Sequence, residues 1–319
     1  MFEPTLHHLP LSHGPAKGVP AGHARRLAWW SWNQTGQTVP HRVVVCVHGL
    51  TRQARDFDAL AQALCPHAWV VSVDVAGRGR SDWLADPMAY AVPTYAQDLA
   101  ALIAHLHSVH GQAHGAGARL AVDWVGTSMG GLIGMALACL PHMTFDHLIL
   151  NDVGPVLQPQ ALARIGDYVG HCPVFATEAE AFAHLQRLCQ SFGPHTPAQW
   201  ADLSRAMLRP VTGGWTLHYD PAIAQPFKAM AALNADTPEA AALRAQTEAA
   251  MWAMYDAIAA PTLLVRGAQS DLISEATASA MASRGPRAHI YTVDGVGHAP
   301  TLVQPAQIER LQAFLGLGA

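Results

Sequence analysis

Apolar residues in this 319-residue chain follow two alternating rhythms. Short unbroken runs, such as Arg42-Val43-Val44-Val45-Cys46-Val47 and Trp69-Val70-Val71-Ser72-Val73, leave no polar face. Leu120-Ala121-Val122-Asp123-Trp124-Val125 and His147-Leu148-Ile149-Leu150-Asn151 continue the series. Runs of this kind predict strands buried between helix layers. Between them, Leu99, Leu102, Ile103, Leu106 and Val109 recur at three- and four-residue spacing, which predicts one face of a helix beginning at Thr94. Residues 57–64 read as a shorter helix, and residues 6–11 and 26–32 as edge strands. The alternation predicts an α/β fold with a mostly parallel sheet covered on both faces.

The rhythm breaks between residues 155 and 255. That stretch is helix-like and interrupted at Pro173, Pro194, Pro197, Pro210, Gly213-Gly214, Pro221 and Pro238. It resumes with the strand 261–267, a helix, a strand over 288–293 and a final helix over 305–315. The expected organisation is a core built from residues 1–154 and 256–319, with residues 155–255 inserted as a helical lid.

Gly126-Thr127-Ser128-Met129-Gly130 lies between one of these strands and the small-residue run 131–138. Strand, Gly-x-Ser-x-Gly, helix is the context of a nucleophile elbow, in which a tight turn lifts the serine hydroxyl clear of the sheet. Ser128 is the candidate nucleophile. Such a serine needs a base, and the base needs an orienting acid. His298, in Gly295-Val296-Gly297-His298 after the last strand, is the candidate base. Asp271, just beyond the strand 261–267, is the candidate acid, and Ser128, Asp271, His298 follow the chain order expected of this chemistry. Asp152, at the end of the strand after the elbow helix, is the rival acid. Backbone N–H groups of Leu50 and Met129 are the candidate oxyanion donors. His48 reads as a brace for the Leu50 loop. Arg52 is a candidate contact for a substrate carboxylate. Trp200, Met207, Trp215, Tyr219, Phe227, Met251 and Trp252 either line an acyl pocket or pack the lid itself.

Composition narrows the alternatives. Half the residues are hydrophobic and 13% are charged, so a sizeable core is available and the composition argues against disorder. A net charge of −4 gives no nucleic-acid footprint. Mean hydropathy is +0.13, yet no apolar run reaches the ~18 residues that a membrane span needs. Met1-Phe2-Glu3-Pro4 does not read as a secretory leader, so a cytoplasmic location is expected. The five cysteines show no Cys-x-x-Cys spacing and read as free thiols. His105, His107, His110 and His114 cluster near one helix end, without the carboxylate or cysteine spacing of a metal site, and read as solvated. Asp74-Val75-Ala76-Gly77-Arg78-Gly79-Arg80-Ser81 departs from the Gly-x-Gly-x-x-Gly pattern and reads as a turn at the site rim. No cofactor and no metal are expected. The expected partner is a small-molecule ester, and the oligomeric state stays open.

His48-Gly49, Asp74…Gly77-x-Gly79-x-Ser81, Gly126-Thr127-Ser128-Met129-Gly130-Gly131, Asp271 and His298 together resemble the α/β-hydrolase superfamily across nearly the whole chain. The likeness is to its lid-bearing bacterial esterases and its hydrolases of aromatic meta-cleavage products. It implies an eight-stranded, mostly parallel sheet and cofactor-free hydrolysis of small to medium acyl esters through an acyl-enzyme. The serine at position 128 argues against the dehalogenases of the superfamily, which use aspartate. The loop His48-Gly49-Leu50-Thr51 lacks the extra glycines of many carbon–carbon bond hydrolases, which is the alternative reading. A non-catalytic small-molecule receptor on the same fold is the alternative from another class.

Overall fold

The structure is a computed structural model, and it describes residues 2–18, 23–231 and 237–318. Residues 232–236 of the expected lid lie outside them. The chain opens with β1 (Thr5–Leu11), β2 (Arg25–Trp32) and β3 (Arg42–Val47), then α1 (Asp58–Leu64), β4 (Trp69–Asp74) and α2 (Val92–His114). The elbow region is β5 (Ala121–Thr127) and α3 (Met129–Ala138), followed by β6 (His147–Asn151). The inserted region holds α4 (Pro159–Tyr168), α5 (Glu178–Leu188), α6 (Pro197–Arg205), β7 (Leu208–Val211), β8 (Gly214–Leu217) and α7 (Ala224–Ala231). The chain closes with α8 (Pro238–Asp256), β9 (Thr262–Gly267), α9 (Glu275–Ser283), β10 (His289–Val293) and α10 (Pro305–Leu315).

Eight strands form one sheet in the order β1-β2-β4-β3-β5-β6-β9-β10. β1 and β2 run antiparallel to their neighbours, and the other six strands are parallel. The run 43–47 is apolar throughout because its two faces enter different cores. Val43, Val45 and Val47 pack with Leu99, Leu102, Trp124 and Ile133 on one side. Val44 and Cys46 pack with Leu60, Leu64, Val125, Leu311 and Leu315 on the other. Side chains alternate across a strand, so neither face tolerates a polar residue.

The parallel register brings the carboxyl ends of the strands level. Val47 pairs with Gly126, Thr127 with Asn151, Asn151 with Val265, and Gly267 with Val293. Loops leaving these ends converge on one rim, where open α/β sheets hold their ligands.

The inserted region differs from the helix-like stretch expected over 155–255 in two respects. Residues 208–217 form a β-hairpin, with Gly213 and Gly214 at positive φ in its turn. These are the glycines read from the sequence only as a helix break. The lid boundary expected at 255 also falls inside α8, whose end belongs to the core. The Tyr255 hydroxyl donates to the Met281 carbonyl at 2.6 Å, and Tyr255 is fully buried.

Candidate active site

The elbow forms where β5 meets α3. Ser128 has φ 51° and ψ −116°, a left-handed conformation that costs a non-glycine residue on the order of 1–3 kcal/mol. Its N–H donates to the Asn151 carbonyl at 2.9 Å, which holds the turn against β6. Gly126 and Gly130 permit the turn. A Cβ at Gly130 would lie 2.0 Å from the Val47 carbonyl oxygen, and one at Gly126 would lie 2.3 Å from the Gly130 oxygen.

His298 sits in the loop after β10, with its side chain only 11% exposed. Its Nε2 is 3.0 Å from Ser128 Oγ, and its Nδ1 is 2.7 Å from Asp152 Oδ2. Asp152 follows β6, is fully buried and has φ 55°. Its carboxylate accepts two further hydrogen bonds, from the Gly267 N–H at 3.0 Å and the Ser270 hydroxyl at 2.7 Å. An ionised carboxylate suits this pocket of donors, and it sets the histidine as the Nδ1–H tautomer. Nε2 is then a lone pair aimed at the serine hydroxyl. The arrangement can take a proton from Ser128 Oγ and hold the resulting imidazolium beside an anion.

Residues 44–311 match the model of a family described as the alpha/beta hydrolase family. The chain belongs to that family. It is 50% identical over 293 residues to a 3-hydroxybutyrate-oligomer hydrolase of Cupriavidus necator, covering 91% of this chain and 92% of the relative. It is similar to the crystal structure of an alpha/beta hydrolase from Novosphingobium aromaticivorans, with TM-score 0.79 and 32% identity over the whole of both chains. A structure from Rickettsia typhi described as a hydrolase gives TM-score 0.80 at 25% identity, over 99% of this chain and all of that one.

Two sequence expectations for this hydrolase need correction. Asp271 does not take the position beside His298. Its carboxylate receives Arg164 Nε at 2.7 Å and Nη2 at 2.9 Å in a surface pair 40% and 44% exposed. Partial burial pushes the Asp271 carboxyl up, and the Arg164 hydrogen bonds and charge more than offset this, leaving it below its usual range. The loop after β9 does reach the acid, but through Ser270, one residue earlier. Arg52, in turn, does not present a free fork to a substrate. Its Nε and Nη2 clamp Asp56 at 2.7 Å each, and Nη2 also donates to the Leu203 carbonyl of the inserted region at 2.9 Å. The forked edge that a substrate carboxylate would need is therefore taken, and Arg52 ties the inserted region to the core.

The candidate oxyanion donors flank Ser128. Met129 opens α3, where the first N–H groups have no intrahelical acceptor, and Leu50 ends the His48-Gly49 loop after β3. Among the described residues, neither N–H donates to a protein acceptor. Gly49 lies beside the nucleophile: a Cβ there would make ordinary contact, 3.6 Å from Ser128 Cβ. His48 braces the loop as expected. One ring nitrogen bonds the Gly49 carbonyl at 2.7 Å and the other accepts from the Val75 N–H at 3.0 Å. Burial, with Arg78 and Arg52 nearby, pushes its pKa down to about 3, against a weaker opposing bond to Gly49.

Several supporting residues escaped the sequence reading. Arg78, fully buried, donates from Nε to the Leu50 carbonyl at 2.9 Å and from Nη1 to the Ala76 carbonyl and Tyr95 hydroxyl, with Nη2 3.7 Å from Met129 Sδ. It thus touches both candidate oxyanion residues, and among the described residues no carboxylate pairs with it. Asn151 joins Thr127 Oγ1 at 2.9 Å to the Pro300 carbonyl at 2.8 Å. Ser191 of the inserted region donates its hydroxyl to the His298 carbonyl at 2.7 Å. The aromatic residues expected in the lid divide. Met207 and Tyr219 are buried in the main core and Trp215, Phe227, Met251 and Trp252 pack against it, while Trp200 lies 4.8 Å from the His195 ring.

Proposed function

We propose that this hydrolase is a serine esterase that cleaves short oligomers of 3-hydroxybutyrate. The observation that carries the mechanism is the hydrogen-bonded chain Ser128–His298–Asp152 at 3.0 and 2.7 Å. The substrate class rests on 50% identity, along nearly the whole chain, to the Cupriavidus necator 3-hydroxybutyrate-oligomer hydrolase.

His298 Nε2 takes the Ser128 proton as Oγ attacks the ester carbonyl. The N–H groups of Leu50 and Met129 hold the tetrahedral oxyanion, aided by the positive end of α3. Imidazolium at His298, stabilised by Asp152, protonates the leaving hydroxyl of the neighbouring unit. Water, activated by the same histidine, releases the 3-hydroxybutyryl group from Ser128. One ester and one water give one carboxylic acid and one alcohol, and the enzyme needs no cofactor. The free thiols fit a reducing compartment, and we infer a cytoplasmic enzyme. None of the described helices is long and apolar enough to cross a membrane.

The test compares the 3-hydroxybutyrate dimer and trimer with p-nitrophenyl esters of graded acyl length, wild type beside Ser128→Ala. Ser128-dependent release of 3-hydroxybutyrate, with kcat/KM above that on unsubstituted esters, is expected. Turnover of p-nitrophenyl esters alone would keep the esterase and remove the oligomer substrate. A folded wild type inactive on every ester, or a Ser128→Ala as active as wild type, would overturn the mechanism.

A further inference from the structure

Three imidazoles meet at the end of the sheet remote from Ser128. His110 and His114 lie four residues apart on the last turn of α2, and so on one helix face. His41 immediately precedes β3 and comes from 69 residues earlier in the chain. The His41 and His114 ring centroids are 4.0 Å apart, those of His110 and His114 4.5 Å, and those of His41 and His110 5.0 Å. One ligand nitrogen from each ring falls within 4.8 Å of the other two.

We propose that His41, His110 and His114 form a three-histidine binding site for a borderline transition-metal dication of the zinc or nickel class. The nitrogen geometry supports this. His110 Nε2 and His41 Nδ1 lie 3.0 Å apart. Two nitrogens in a tetrahedral shell, each ~2.0–2.1 Å from zinc, lie about 3.3 Å apart. A small opening of the pair would admit the ion between them. The metal-free pair needs one shared proton. With the metal bound, each ring carries its proton on the nitrogen facing away and offers a lone pair inward.

The surroundings are those of a ligand set. His114 Nε2 lies 2.7 Å from the Val39 carbonyl, which fixes its N–H there and leaves Nδ1 as the lone pair. A backbone carbonyl on the outer N–H is a common way to orient a metal-binding histidine. His110 is fully buried, with the Ala118 backbone as a polar neighbour of its ring besides His41. His41 and His114 are exposed, so an ion can enter and keep water in its fourth position. The site also lies at the carboxyl end of a 23-residue helix, where the macrodipole favours a cation. A bound ion would fasten α2 to the segment leading into β3. The Ala121 N–H already donates to the His41 carbonyl at 2.9 Å, so β5 shares this anchorage. The role is structural, because β3 and β5 separate this cluster from the nucleophile at their other ends.

The sequence hid this arrangement. Read along α2, the histidines resemble a polar helix end, and the third ligand is distant in sequence. The experiment is calorimetric titration of the tag-free protein with zinc chloride and nickel chloride. His41→Ala, His114→Ala and their double variant are compared with His142→Ala, an exposed histidine elsewhere. Wild type and His142→Ala are expected to bind one equivalent and to melt at a higher temperature with zinc, reversibly with chelator. Each single variant should lose roughly tenfold or more in affinity, and the double variant should lose the melting shift. Ester hydrolysis by the metal-free variants should match wild type, which shows that they fold. No saturable binding by wild type, or equal binding by the double variant, would overturn the site.

Discussion

Replacing Asp152 by asparagine tests the acid of the site while keeping its shape. The native carboxylate accepts three hydrogen bonds, from Gly267 N–H, Ser270 O–H and His298 Nδ1. An amide has one acceptor oxygen. If that oxygen keeps the Gly267 N–H, the amide NH2 faces His298. The ring must then accept at Nδ1 and carry its proton on Nε2, against Ser128, where no lone pair remains to act as base. If the amide turns over, its NH2 opposes the Gly267 N–H inside a buried pocket. Either way the negative charge is lost. At 2.7 Å, a carboxylate and an imidazolium attract by roughly 6 kcal/mol at an effective dielectric of ~20. That corresponds to about four decades in rate, the scale of such acid-to-amide changes in serine triads. Asp152→Asn should therefore lower kcat on a p-nitrophenyl ester about 10⁴-fold. Asp271→Asn removes only an exposed ion pair, worth ~0–1 kcal/mol of stability, and should leave kcat within about twofold. Both variants are assayed beside their melting curves. A folded Asp152→Asn within tenfold of wild type, or a large kcat loss in Asp271→Asn alone, would refute the assignment.

Arg78→Met should lower kcat roughly 10- to 100-fold with little change in KM, since it removes the donor to the Leu50 carbonyl and the contact with Met129 Sδ. Arg78→Lys should rescue little, because a single ammonium cannot reach acceptors spread around a planar fork; an unchanged kcat in Arg78→Met would remove its positioning role. Gly130→Ala forces a Cβ to 2.0 Å from the Val47 oxygen, so a loss of about 3 kcal/mol or more in urea unfolding is expected, and wild-type stability would contradict the tight elbow. Stability should also fall with acid. His48 takes up a proton only near pH 3 in the native state but near 6.5 when unfolded, so the unfolded chain binds more protons between these values. Burial, with Arg80 and Arg209 nearby, likewise takes His218 down to about 4. Each histidine should cost about 1.4 kcal/mol per pH unit below 6.5 until its native pKa is reached, and a flat unfolding free energy from pH 6.5 to 4.5 would contradict both.

The sheet was legible because its cause is local. Val43 to Val47 must be apolar on both faces, and only a strand between two helix layers asks for that. The elbow was legible because its glycines and serine stand together in the sequence: Gly126 is imposed by the backbone of Gly130 and Gly131 a few residues on, although Gly130 itself is imposed by the Val47 carbonyl of a neighbouring strand. The hairpin 208–217 was not legible. Its strands are four residues each and one contains Pro210, so periodicity had little to count. Its glycines signalled a break but not what lay on either side.

The acid illustrates a different limit. Asp152 and Asp271 both follow strands that lie beside one another in the sheet, β6 and β9. From sequence, each could reach a histidine arriving from β10. What separates them is where each chain turns after its strand. Asp152 adopts φ 55° immediately beyond β6, which lowers its carboxylate into the rim between Gly267 and His298. The loop after β9 instead aims Ser270 inward, and its next residue is drawn outward by Arg164 of α4. Arg164 belongs to the inserted region, 107 residues away in sequence, so no local pattern could reveal its claim on Asp271. Both acids have partners, one the ring of His298 and one the guanidinium of Arg164 in the inserted region. A serine positioned to donate to the inner acid, one residue before an aspartate paired outward, is the local trace of this division.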